Sequence, residues 1–176
     1  MTAGSSELGI KRGIVSDLEY EDLSRAFRAG VASLGTWKDN ASQEEFPREL
    51  TQLEMVRDHI APGLTADVAE LLVSEAGDLL EVMSLARTGH QLREGVVELL
   101  ELARTEGVPT AIVSNAHSGR AHRKVLEAAG IAHLIDAEFY SEEVEIRKPN
   151  PQIIDLAAAS LGTMPDQCWF VGDTLD

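Results

Sequence analysis

The 176-residue chain carries 15 basic against 30 acidic side chains, a net charge of −15, and is 44% hydrophobic. A chain of this length buries roughly 70% of its unfolded surface, which favours one soluble acidic domain with its own core over two cramped ones and requires neither disulfide nor structural metal. The carboxylate excess repels phosphate backbones and anionic lipid, so nucleic acid and membrane surfaces are excluded as partners, and any anionic ligand needs a local positive site.

The single cysteine, Cys168, excludes an internal disulfide and a multi-cysteine zinc site and fits a reducing, cytoplasmic setting. No stretch reaches the roughly 18 apolar residues of a membrane span. The first nine residues lack the basic and apolar regions of a signal peptide.

In chain order, residues 19–86 read as helical. Leu23, Ala26, Phe27 and Val31 share one face, and breaks are expected at 35–40 and at Pro62-Gly63. Ser42 and Glu45 have capping-box spacing ahead of Phe46, Leu50, Leu53 and Val56, and a third amphipathic stretch carries Val68, Leu71, Leu72, Leu79 and Leu80. Trp37 and Tyr20 are expected to pack within this helical half.

From Gly95 the pattern alternates between helix and strand. A helix with Val96, Val97, Leu99, Leu100 and Ala103 on one face ends at Gly107, and a short apolar strand follows over 109–114. A helix over 119–129 stops at Gly130, and 137–140 is a weaker strand. Asn150-Pro151 opens a helix with Ile153, Ile154, Ala157 and Leu161 inward and Gly162 beyond its end. Residues 168–171, Cys-Trp-Phe-Val, read as a last buried strand. This is an α/β fold with a parallel sheet and crossover helices, whose ligand site lies at the carboxyl ends of the strands, just after Val113 and Val171.

Polar groups stand at those ends: Ser114-Asn115 after one strand, Lys148-Pro149 ahead of a helix, and Gly172-Asp173 after the last strand. A hydroxyl beside free amides, an ammonium, and a carboxylate able to hold a divalent cation together suit a phosphoryl group. Each also has a plainer reading, as a turn, a solvated helix boundary or a strand-end acid; order and spacing favour the chemical one. The five histidines show no metal-ligand spacing and read as surface residues, with only His117 near the predicted site.

With Val113-Ser-Asn115, Leu126-Glu-Ala-Ala-Gly130, Lys148-Pro-Asn-Pro151 and Phe170-Val-Gly-Asp-Thr174, the chain from about Leu92 onward resembles the haloacid dehalogenase superfamily of aspartate-nucleophile hydrolases. Ser114 and Lys148 lie 34 residues apart, and Lys148 and Asp173 lie 25 apart, intervals common in that family. The resemblance implies a Rossmannoid, doubly wound parallel core with a helical cap. It divides the chain into an N-terminal segment 1–18, a cap 19–88 and a partial core 89–176. Ser114 and Asn115 would bind the phosphate, Lys148 would stabilise nucleophile and transferring group, and Asp173, with Asp176 beyond it, would hold Mg2+.

The family's first motif, Asp-x-Asp-x-Thr after an apolar strand, has its nearest match at Asp17-Leu-Glu19-Tyr-Glu21, where Glu19 and Glu21 stand in for the second aspartate and the threonine. Asp17 is thus the candidate nucleophile. The alternative is that Ser16 or Asp17 caps the first cap helix, with Asp17, Glu19 and Glu21 as its acidic first turn. The incomplete match at both ends is expected of a truncated or decayed member with an exposed sheet edge.

The implied activity is Mg2+-dependent hydrolysis of a small phosphomonoester through an aspartyl-phosphate, with dehalogenation as the family's minority chemistry. The alternative from another class is a non-catalytic relative that binds a phosphate-bearing ligand or partner. A phospho-receiver domain is disfavoured because Asp173 follows Lys148 in the chain. Substrate identity and oligomeric state are not encoded in motif spacing.

Overall fold

A computed structural model describes residues 17–87 and 91–172, with side chains from residue 20 in the first stretch. It has a helical half and an α/β half. The helix α1 (Asp17–Ala41) leads through residues 42–51 to a short α2 (Gln52–Glu54), a π-helical segment Met55–Ile60, α3 (Ala66–Ser74) and α4 (Ala76–Leu85). Then come α5 (Val96–Thr105), β1 (Ala111–Ser114), α6 (Gly119–Ala128), a 3-10 turn Ala132–Leu134, β2 (Ala137–Tyr140), α7 (Ser141–Val144) and α8 (Gln152–Ser160).

The helical half packs around Leu34, Met55, Val56, Ile60, Leu79 and Leu80, with Phe27 and Trp37 of α1 laid against them. The break expected at 35–40 is absent, and α1 continues through Gly35 to Ala41. A helix-interior glycine costs about 1 kcal/mol against alanine. The stripe Phe27, Leu34, Trp37 and Ala41 outweighs it by running unbroken along the buried side. Val31, expected inward, is exposed, and Gly30 takes the place facing the core. A Cβ there would lie 2.7 Å from the Ile60 Cα, so the two helical segments approach at a distance only glycine permits. Tyr20 is 63% exposed and does not pack within the helical half.

The capping box expected at Ser42 lies instead at Thr51. The Thr51 hydroxyl accepts from the Glu54 amide at 3.3 Å, and the Glu54 carboxylate accepts from the Thr51 amide at 2.9 Å. The Ser42 hydroxyl donates to the Lys38 carbonyl at the end of α1. Residues 42–51 are irregular because they pair across the molecule: Arg48 bridges Ile146 antiparallel, the Glu49 amide donates to the Glu145 carbonyl, and the Arg147 amide donates to the Pro47 carbonyl.

In the α/β half, β1 and β2 are parallel, in register from Ala111↔Ala137 to Ser114↔Tyr140, with α6 between them in the chain. Helix α8 packs on both strands, burying Ile153, Ala157 and Ala158. Gly107, Gly130 and Gly162 end their helices in the left-handed region, as expected of C-terminal glycines. Helix α6 also packs on α4, where Arg120 pairs with Asp78 at 2.6 Å and Lys124 pairs with Glu81.

Two further expectations fail. Residues 168–171 form no strand: Trp169 is 97% exposed and Cys168 is exposed as well, because among the described residues no strand offers this segment a ladder. Helix α5 forms where expected but buries no residue fully, and Leu99 stays exposed. Among the described elements its main packing partner is the 3-10 turn Ala132–Leu134.

Candidate active site at the carboxyl end of the sheet

Strand β1 ends at Ser114, opposite Tyr140 of β2, and the chain turns into Asn115. The Asn115 amide nitrogen donates to the Lys148 carbonyl at 3.1 Å, while its side-chain oxygen accepts from the Lys148 amide at 2.8 Å. This reciprocal pair clamps residue 148 to the end of β1 as a neighbouring strand would. The Lys148-Pro149 peptide is cis. The Lys148 ammonium donates to the Val113 carbonyl at 3.2 Å and lies 5.5 Å from the Phe170 ring centre. Ser114, Asn115 and Lys148 thus meet at the strand's carboxyl end.

Of the other predicted site residues, Asp17 is the first helical residue of α1, and its side chain lies outside the described residues, as do Asp173 and Asp176 entirely. Among the described residues no group of three or more His, Cys, Asp and Glu side chains converges as a metal site.

Behind the clamp lies a buried polar network that sequence reasoning missed. Glu49 is fully buried and its carboxylate accepts from the Ser141 hydroxyl at 2.7 Å, the Arg147 guanidinium at 2.9 Å and the Leu50 amide at 3.1 Å. Ser141 in turn accepts from the Ala116 amide at 3.0 Å, and the Arg147 Nε donates to Ser42. The loop after β1, the turn after β2 and residues 42–51 are therefore held by one charge pair. Glu49 and Arg147 are 98 residues apart, so no spacing rule joins them. The Glu142 carboxylate accepts from the Gly119 amide at the start of α6, and its other oxygen is buried without a partner among the described residues. Burial raises its pKa.

A cleft of about 230 Å³ opens on the cap side of Asn115, lined by Ser84 and Arg87 at the end of α4, by Asn115 and His117, and by His122 of α6. His117 is not the surface residue the sequence pointed to. It is half-buried, and burial, followed by the positive charges of Lys38, Arg87, Arg147 and His122, lowers its pKa to about 4. His122 stacks on Tyr140 at 5.1 Å. Lys38, in the last turn of α1, is lowered to about 8, first by burial and then by Arg147 and Arg87, against the opposing pull of Glu49 and Glu142. A larger depression, about 320 Å³, lies at the amino ends of the strands between Arg104, His133 and Asp136. Ligands of open α/β sheets bind at the carboxyl ends, so the smaller cleft is the candidate.

Comparison with known proteins gives the same direction. Residues 7–176 match the haloacid dehalogenase-like hydrolase family. Over 167 residues, 95% of its length, the chain is 33% identical to the glyceraldehyde 3-phosphate phosphatase of Methanopyrus kandleri, covering 64% of that protein. It is 31% identical over 98 residues to the phosphoserine phosphatase of Thermus thermophilus, 56% of this chain and 39% of the relative. It is 30% identical over 90 residues to the phosphoglycolate phosphatase of Salmonella typhimurium, 51% of this chain and 35% of the relative. The chain thus matches less than two thirds of the length of each of these relatives.

Proposed function

The chain belongs to the haloacid dehalogenase-like hydrolase family, and from that premise we propose that it is a cytoplasmic, Mg2+-dependent phosphatase of a small phosphomonoester. The observation that supports this most is the Asn115–Lys148 clamp, because it holds an ammonium on the Val113 carbonyl, one residue before Ser114, at the sheet's carboxyl end. Three relatives named for phosphatase activity point the same way. In this reading residues 19–88 are the cap, 89–176 the core and 1–18 the N-terminal segment.

In the proposed reaction Asp17 attacks phosphorus and the ester oxygen leaves as the alcohol, its proton drawn from solvent. Water then attacks the aspartyl-phosphate, releasing orthophosphate and restoring the carboxylate. Lys148 balances charge on the phosphoryl oxygens, while the Ser114 hydroxyl and the Asn115 side chain orient them. Asp173 and Asp176 are the acids assigned to Mg2+, which when bound would neutralise phosphoryl oxygen charge. Both acids lie outside the described residues.

Turnover of an aryl phosphate by the full chain, with Mg2+ and with chelator, beside Lys148→Ala, Ser114→Ala and Asp17→Asn, tests this. Lys148→Ala is expected to lower kcat/KM by at least about 100-fold, equivalent to about 3 kcal/mol of transition-state stabilisation. Wild-type-like turnover in Lys148→Ala would remove the site assignment. Turnover retained in Asp17→Asn would move the nucleophile elsewhere. Phosphate binding without turnover would favour a non-catalytic binding protein of the same fold.

A further inference from the structure

The Asn115–Lys148 clamp is bracketed in the chain by two residues that are tied to one buried acid. Ala116, directly after Asn115, donates its amide to the Ser141 hydroxyl at 3.0 Å, and that hydroxyl donates to the Glu49 carboxylate at 2.7 Å. Arg147, directly before Lys148, donates from its guanidinium to the same Glu49 oxygen at 2.9 Å. Glu49 comes from the irregular stretch between α1 and α2, in the helical half, and not from the sheet that carries the clamp. These bonds close a ring, with Asn115 and Lys148 on one side and Ala116, Ser141, Glu49 and Arg147 on the other.

The chemistry of the ring fixes its direction. A hydroxyl carries one proton and two lone pairs, whereas a carboxylate only accepts. Ser141 therefore directs its proton to Glu49, which leaves a lone pair for the Ala116 amide. The opposite direction, from the hydroxyl to the Ala116 carbonyl, spans 3.4 Å and is the weaker contact. Glu49, Ser141 and Ala116 are all buried, so water does not replace a missing partner. Two backbone bonds run alongside and hold the Glu49 side chain in register: the Glu49 amide donates to the Glu145 carbonyl at 3.0 Å, and the Arg147 amide donates to the Pro47 carbonyl at 3.3 Å. Glu49 bonds neither Ser114 nor Lys148; it reaches them through their neighbours in the chain.

We propose that Glu49 is a positioning residue for the reaction: from the helical half it fixes, through Ser141, the loop that carries Ser114 and Asn115 and, through Arg147, the backbone that carries Lys148. The assignment rests on the phosphatase reading and adds to it the group that sets the spacing between the hydroxyl and the ammonium. Misplacing reacting groups by about 1 Å costs on the order of 100-fold in rate. A loosened ring would therefore lower kcat while every group assigned to the phosphate is still present.

The test is aryl phosphate turnover by the full chain with Mg2+, at a temperature where circular dichroism shows each variant folded, together with amide hydrogen exchange. Ser141→Ala removes one hydroxyl and leaves the Glu49–Arg147 pair in place, while Glu49→Gln keeps the side chain's shape and one acceptor. Each is expected to lower kcat by about tenfold or more with KM within about threefold of the wild type. The Lys148 amide, whose own acceptor on Asn115 is untouched in both variants, should exchange at least about tenfold faster than in the wild type. A kcat within about twofold of the wild type in both variants, whatever their loss of stability, would overturn the positioning role and leave the phosphatase reading standing. A lowered kcat with unchanged exchange at Lys148 would overturn it too, since the effect would not then pass through the clamp. No turnover by the wild type would remove the phosphatase reading and this role with it.

Discussion

Replacing Arg147 by alanine would leave the Glu49 carboxylate wholly buried without its counter-charge. In the intact protein that carboxylate has one guanidinium at 2.9 Å, one hydroxyl at 2.7 Å and one amide at 3.1 Å, with side-chain exposures of 11% for Arg147 and 0% for Glu49. Breaking such a buried pair by removing one partner typically costs about 3–5 kcal/mol, chiefly as the desolvation of the charge left behind. A domain of this size has roughly 5–15 kcal/mol in total. A loss of about 4 kcal/mol would lower Tm by roughly 8–16 °C, at about 2–4 °C per kcal/mol.

Urea denaturation at pH 7 would measure the loss, with Glu49→Gln added to remove the stranded charge while keeping an acceptor for Ser141 or Leu50. The double variant Arg147→Ala/Glu49→Gln is expected to recover at least about half of the Arg147→Ala loss. A cost below about 1 kcal/mol for Arg147→Ala, or no recovery in the double variant, would refute the view that this pair holds residues 42–51 to the α/β half.

Further outcomes follow from single features. The unfolded His117 imidazole takes up a proton near pH 6.5, while the folded one does so only near 4. Stability should therefore fall as pH drops from 6.5 to 4 by up to about 3 kcal/mol. His117→Gln should remove that part of the slope in a pH series of urea melts, and an unchanged slope would contradict the burial argument. Gly30→Ala places a Cβ within 2.8 Å of three backbone atoms of His59 and Ile60, which have no side-chain freedom to yield. It should cost about 1–3 kcal/mol by the same denaturation, and a neutral result would deny the close approach of α1 to the π-helical segment. Cys168 should react with a disulfide reagent in the folded protein within a few-fold of its rate in urea, since it is exposed. Protection of about 100-fold or more would restore the buried strand expected from its apolar neighbours.

Much of the core half was legible because its signals are local. The glycines ending α5, α6 and α8 mark positions where only a residue without Cβ turns freely into the left-handed region. Ala-Ile-Val ahead of Ser-Asn reads as strand and then strand end because both patterns lie within six residues. The spacing of Ser114-Asn115 and Lys148 identified the two partners of the clamp, though not the reciprocal bonds that join them. Thr51-x-x-Glu54 was equally local and was passed over for Ser42-x-x-Glu45, which has the same pattern but stands just ahead of residues 47–49, which pair with residues 145–147 after α7.

The sequence by itself determined the acidic balance, the helical first half, the alternation of helix and strand in the second, and the family. All of these follow from composition, periodicity and motifs carried by neighbours along the chain. Only the tertiary structure decided that Gly35 stays helical, that residues 168–171 remain exposed, that Glu49 meets Arg147, and that Arg87, Asn115 and His117 share one cleft. Each of these depends on which side chains become neighbours once distant segments fold together. Burial and electrostatic fields then act through space, with no regard for separation along the chain.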